Sequence, residues 1–481
     1  MLKGAKGNKH LVIVLIHTVV LAFLILFFAR WTPLVMYDFD DWFRSGKIRI
    51  PVPMWGAWEP TRIFPEVAMP IFTGRLGAWV FYPITGDYIY SLTIASAVTM
   101  SAMILVMCIC FYKLLANRLG CSTFKTLVLE GMFLASFFLM FRNRSGSKFL
   151  FHSSDLCTVY YYTMGGLLNA ILLLILLEKK DATKAFRKMP VGRKIALSVL
   201  IYFAVFSNLF HSAITVVYCG TVILIDWVKE KSVVSSIRRN ALQFAIILLW
   251  GVVLIFEFFG GRSDSFEQDI DLVLSIRQFL TLIGAMAIAY KIIVAFCLLG
   301  FLWLLFKKKE LGLLPVIVIS GFFETVFLLL LNSKVLYMSR IEASWGTWFY
   351  LILFCVIVCS YAIDNWDKLV YFAPVALCVM IFFSWYPDGK FAISSTRNPD
   401  YQQCYDTSTY IAQSIIDADK AGEKELTLKL PVSDNPEEFT FVPDIGSVVS
   451  DTLYRQRVIK HLITVNVEFD ESLNEKYLPH F

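Results

Sequence analysis

The chain has 481 residues, 57 % of them hydrophobic and 16 % aromatic, with a net charge of +6 and a mean hydropathy of +0.64. Soluble globular proteins average about 45–50 % apolar residues. The excess here falls in runs of roughly 17–25 residues, the length that crosses about 30 Å of hydrocarbon as a helix. That excludes a soluble globular protein and gives an α-helical polytopic membrane protein; the small net charge says nothing for nucleic acid.

In chain order, the basic segment MLKGAKGNKH precedes LVIVLIHTVVLAFLILFFAR. This run is too long for the apolar core of a typical signal peptide, and it ends in FFARWTP rather than a small-x-small cleavage site. We read it as an uncleaved first span. Eleven spans are expected, near residues 11–30, 89–112, 124–141, 157–177, 195–209, 211–228, 241–259, 282–306, 312–331, 347–363 and 369–385. Lys3, Lys6 and Lys9, the seven bases of EKKDATKAFRKMPVGRK, and the turns VKEKSVVSSIRRN and KKKE all share one side if the N-terminus is cytoplasmic. The odd count then puts the C-terminus outside a plasma or inner membrane. The weakest stretch is 195–228, where two short spans must turn near FSNLFHS. Outer loops are expected at 31–88, 142–156, 260–281 and 332–346. The tail, 386–481, is read as a small extracytoplasmic α/β domain behind the membrane domain 1–385: DTSTYIAQSIIDADKAG has helical spacing with a Gly stop, and KELTLKL and LITVNVEF alternate like strands. Of ten cysteines only Cys404 lies in a clearly soluble region, which speaks against an exported disulfide framework.

The first outer stretch carries the densest chemistry. VMYDFDDWFR places Asp38, Asp40 and Asp41 just beyond the first span, followed by MWGAWEPTRIFPEVAMP with Glu59, Arg62 and Glu66. IFTGRLGAWVFYPITG is apolar but broken by Gly and Pro, and is expected to be interfacial or re-entrant. Clustered carboxylates raise one another's pKa, which suits a general base taking a proton from an acceptor hydroxyl. Nearby aromatic rings offer flat faces to sugars. Two outer segments supply cations: Arg142, Arg144 and Lys148, with His152, in FRNRSGSKFLFH, and Arg340, beside Glu342, in YMSRIEASW. Arginine matches phosphate oxygens bidentately. Asp41 is taken as the base ahead of Asp40.

The layout, with DFDDW after the first span, WEPTR, and a late outer YMSRIEASW, resembles the GT-C superfamily of glycosyltransferases, and more narrowly the bacterial membrane enzymes that decorate surface polysaccharides. Thr61 stands where that pattern has Gly, and Met338-Ser339 precede Arg340 without its proline. The resemblance implies a polyprenyl-phosphate-linked sugar donor, a glycan or polysaccharide acceptor and direct, inverting transfer by an aspartate. Metal use differs within the group; no His/Cys cluster has ligand spacing, so no cofactor is assigned and a divalent metal stays open.

Plainer readings stand beside these. The aspartates could be a solvated loop start, Glu59 and Arg62 a loop-shaping ion pair, and the 142–148 cations headgroup contacts. His211, next to Asn208, reads first as a polar cap. Lys291 and Glu324 lie inside spans and are expected to pair with each other. His17 is expected to hydrogen-bond a neighbouring helix, and the glycines of TMGGLLNA to mark close packing. A transporter or flippase of lipid-linked saccharide, or a polysaccharide polymerase or ligase, are the alternative functions.

Overall fold

A computed structural model describes residues 2–46, 62–143, 146–153, 155–259, 270–307, 311–365, 401–433 and 440–477. Each of the first ten expected spans overlaps a helix, although 282–306 is divided between two; the eleventh, 369–385, lies outside the described residues, as do Glu59 and Arg144. In chain order the main elements are α1 Leu2–Leu26, α2 Phe39–Gly46, α3 Met69–Leu76, α4 Tyr88–Lys113, α5 Thr123–Leu139, the hairpin β1 Arg142–Asn143 and β2 Gly146–Ser147, α6 Leu156–Glu178, α7 Val191–Val205, α8 Leu209–Glu230 and α9 Ala241–Phe259. There follow α10 Leu272–Ala285, α11 Ile288–Phe306, α12 Leu314–Val335, α13 Trp345–Asn365, α14 Tyr401–Ala421, β3 Glu425–Leu430, α15 Ile445–Arg455 and β4 Thr464–Phe469.

Among the described residues seven helices are long and apolar enough to cross a membrane, or eight if Val233–Arg239 and Ala241–Glu257, bent by 95°, are one span. Two expected spans are short. α5 has 17 residues and α7 has 15, which at 1.5 Å per residue is about 25 and 22 Å, less than the hydrocarbon thickness. The stretch 195–228 forms two helices, as expected. Asn208 breaks them: its backbone is extended, and its Oδ1 accepts the His211 N–H at 3.0 Å as the N-cap of α8.

The expected loop 260–281 and span 282–306 are corrected. The apolar run starts earlier, and α10 begins at Leu272, where Asp271 caps it by accepting the Leu274 N–H. It stops at Ala285 because Met286 and Ala287 turn extended and the Ala287 N–H donates to Met140 O. The interrupted segment 69–81 is helical, Met69–Leu76 running into the wider turn Gly77–Phe81.

Small residues set the helix spacing. A Cβ on Gly166 would lie 2.9 Å from His211 Cδ2 and 3.0 Å from Trp345 Cε3, so α6, α8 and α13 meet there. A Cβ on Gly346 would collide with Glu324 and lie 2.8 Å from Ile214 Cγ1. Overpacking of this kind costs about 1–3 kcal/mol; Gly346→Ala should lower the thermal midpoint of the protein in detergent, and an unchanged midpoint would show that α12 can yield. His17 does reach its neighbour, with Nε2 2.9 Å from Glu130 Oε1 on α5.

The tail elements form a parallel two-strand sheet, β3 beside β4 from Glu425↔Thr464 to Leu430↔Phe469, with α15 as the crossover. They dock on the segment 36–42 that follows α1. Ser408 Oγ donates to Met36 O at 2.7 Å, Thr440 Oγ1 to Tyr37 O at 3.4 Å and Thr452 Oγ1 to Trp42 O at 3.0 Å. Gln456, buried, accepts from the Tyr88 hydroxyl through its side chain and from Trp79 Nε1 through its carbonyl.

Candidate functional site

The acidic helix is built by its own carboxylates. Asp38 caps α2: its Oδ1 accepts the Asp40 N–H at 2.9 Å and its carbonyl accepts the Asp41 N–H at 3.0 Å. The three aspartates then face different surroundings. Asp40 is exposed and Asp38 half-buried, while Asp41 is 3 % exposed. Asp41 Oδ2 accepts the N–H groups of Tyr37 and Asp38, each at 3.1 Å, and Oδ1 accepts the Cys157 N–H at 2.6 Å. Burial, then the carboxylates of Asp155 and Asp38, push the Asp41 carboxyl well above its usual range, against the pull of the Tyr37 and Cys157 N–H groups.

Asp155 was not singled out from the sequence. It caps α6, accepting the Thr158 N–H at 2.6 Å while Thr158 Oγ1 accepts the Asp155 N–H at 3.2 Å. That D-x-x-T pattern before an apolar run was readable as a helix start, but its neighbourhood was not. Asp155 lies within electrostatic reach of both Asp41 and Arg340.

Arg340 sits between α12 and α13, on a loop that α12 enters through Leu336, whose φ of 58° is left-handed. Its Nε donates to Glu342 Oε1 at 2.8 Å, and its guanidinium lies 5.3 Å over the Tyr162 ring and 5.1 Å over Tyr337. Burial works against the cation, yet Glu342, Tyr162 and Asp155 raise its pKa on balance. About a third of the side chain stays accessible (31 %).

A second arginine meets the same aromatic pair. Arg62 lies 5.7 Å over Tyr161, whose ring stands edge-on to Tyr162 at 4.9 Å. Arg62 pairs with Glu66 at 3.5 Å and approaches Glu257 of α9 at 4.0 Å, and Arg44 of α2 reaches the other Glu66 oxygen at 3.4 Å. Arg44, Glu66, Arg62, Tyr161, Tyr162, Arg340, Asp155 and Asp41 thus form a circuit from α2 back to α2. Arg44 and the two tyrosines were also missed, because the sequence does not say which turn of α6 faces the loops.

The other expected residues fall out as follows. His211 is fully buried, with Nδ1 2.9 Å from Asn208 Oδ1 and Nε2 3.0 Å from the Glu342 carbonyl, so it braces the Arg340 loop from below. Arg142 is buried in the β1–β2 hairpin, Lys148 is exposed, and His152 sits edge-on to Phe149. The expected Lys291–Glu324 pair is not made. Lys291, in the first turn of α11, donates instead to Gly284 O at 2.7 Å at the end of α10. Glu324 is fully buried beside Gly346, and among the described residues neither of its carboxyl oxygens has a hydrogen-bond partner. No group of three or more His, Cys, Asp or Glu among the described residues is placed to hold a metal ion.

Apolar helices of this number and length define a helical multi-pass membrane protein. No protein-family model, curated protein or solved structure matches the chain.

Proposed function

We propose that the chain is a GT-C-type glycosyltransferase that moves a sugar from a polyprenyl-phosphate-linked donor to a cell-envelope glycan at the outer face of the plasma or inner membrane. The observation that carries this reading is the chain of contacts that runs from the acidic helix α2 to Arg340: Arg44 on Glu66, Glu66 on Arg62, Arg62 over Tyr161, Tyr161 against Tyr162, and Arg340 over Tyr162. In this reading Asp40 takes the proton of the acceptor hydroxyl as that oxygen bonds to the sugar carbon. The bond from that carbon to the donor phosphate oxygen breaks, and Arg340 holds the departing phosphate. We place the base on Asp40 rather than Asp41 because both Asp41 oxygens are occupied by backbone N–H groups and the side chain is buried. The aromatic walls of Tyr162 and Tyr337 keep the guanidinium partly dry, which strengthens its hold on developing charge.

Membranes carrying the chain should transfer labelled sugar from a polyprenyl-phosphate donor to envelope glycan. Arg340→Ala should cut that rate about 10²-fold or more, and Arg340→Lys should restore it only in part, because an ammonium lacks the planar fork. Absence of transfer by the wild type from every polyprenyl-phosphate sugar tried would overturn the reading.

One observation favours the second reading, a transporter of lipid-linked saccharide: Glu324 is an ionisable group deep in a span with no partner among the described residues.

A further inference from the structure

α11 and α12 follow one another in the chain and both lean on α13, and a cavity of about 490 Å³ opens in the gap between them. Its walls are apolar, with Val294, Leu298 and Phe301 on α11 and Ile317, Val318 and Phe322 on α12. Phe322 and Leu298 are 64 % and 49 % exposed, so the cavity is open on the flank where hydrocarbon would lie. Lys291 is the charged residue on the wall. It shares the cavity with Trp348, whose Nε1 donates to Ser344 Oγ, and Ser344 Oγ donates in turn to Arg340 O, so the lysine stands toward the Arg340 end of α13. From Lys291 to Phe301 is ten residues of helix, about 15 Å, or half of a hydrocarbon core about 30 Å thick.

A slot one leaflet deep, greasy along its length and cationic at its mouth, has the dimensions of a single acyl chain with its headgroup. The Lys291 ammonium has three donors; one goes to Gly284 O, leaving two for phosphate oxygens. We propose that this groove binds an anionic glycerophospholipid, one acyl chain lying between α11 and α12 and the phosphate on Lys291. The site is separate from the Arg340 centre and goes beyond the proposed transferase reaction. The bound chain would add to the packing of α11 beside its contacts with α13.

The test uses the full chain, delipidated in detergent, and phosphatidylglycerol carrying a photoreactive group near the acyl end. Labelled peptides are identified by mass spectrometry, with the lipid-facing side of α1 (Leu11, Val19) as the background. Label should concentrate on 294–301 and 317–322. Lys291→Gln should lower it about tenfold or more, and Lys291→Arg should keep it. Val294→Trp, which fills the slot and leaves the lysine, should remove it. The proposal is overturned if label at these segments equals the α1 background, if phosphatidylcholine labels equally and ignores Lys291→Gln, or if polyprenyl phosphate displaces the label better than unlabelled phosphatidylglycerol does. The last result would give the groove to a polyprenyl chain instead.

Discussion

Asp40→Asn should reduce sugar transfer by about 10²–10⁴-fold, the usual contribution of a positioned general base, while leaving the protein folded and donor retained. Asp40 is exposed, and among the described residues nothing hydrogen-bonds its carboxyl group. Removing its charge therefore disturbs no contact, and the thermal midpoint should match the wild type. The assay is labelled transfer in membranes at matched protein level. Full activity in Asp40→Asn together with inactivity in Asp38→Asn would move the base two residues upstream; full activity in both would remove the acidic helix from the chemistry altogether.

Asp41→Ala should fail differently, by loss of structure. It strands the N–H groups of Tyr37, Asp38 and Cys157 without an acceptor where the side chain is 3 % exposed. An unsatisfied buried donor costs about 1–3 kcal/mol, so three together are a large share of a typical total stability of about 5–15 kcal/mol. Asp41→Asn should be milder, because an amide oxygen still accepts, though its NH₂ then faces a donor. The two carry a pH signature. The folded Asp41 pKa lies above the ordinary 3.8, so the folded state keeps a proton that the unfolded chain releases. The stability this gives is complete below about pH 3.8 and fades as pH climbs through the raised folded value. The wild type's advantage over Asp41→Asn in thermal midpoint should therefore shrink as pH rises above about 4. A difference that grew with pH would mean the carboxylate is charged in the fold.

Apolar run length placed the helices well, because crossing hydrocarbon is decided by local composition. It placed their ends poorly where the reason was not local: α10 begins inside what looked like a polar loop containing Arg277 and Gln278, and ends because the Ala287 N–H finds Met140 O. Charge clustering pointed to α2 and Arg340, and the N-cap at Asn208 was visible as a turn beside a histidine. Rotation about helix axes was not visible. Lys291 and Glu324 looked like partners because both are charged and intramembrane, yet one faces Gly284 and the other Gly346. The same blindness put Asp41, which is buried and held by backbone N–H groups, ahead of the exposed Asp40, and hid Asp155, whose neighbour Cys157 is 116 residues from Asp41 in the chain.

Three hydroxyls of the tail grip carbonyls of the segment 36–42 across separations of 372 to 410 residues. Such contacts are among the slowest to form, since a long loop must close before they reward it. During synthesis the first helix enters the bilayer long before residues 401–477 exist. The carbonyls of Met36, Tyr37 and Trp42 therefore wait for these three donors until translation has passed the strands, so the tail's grip on the acidic helix comes late in the protein's biogenesis although the helix itself is capped locally.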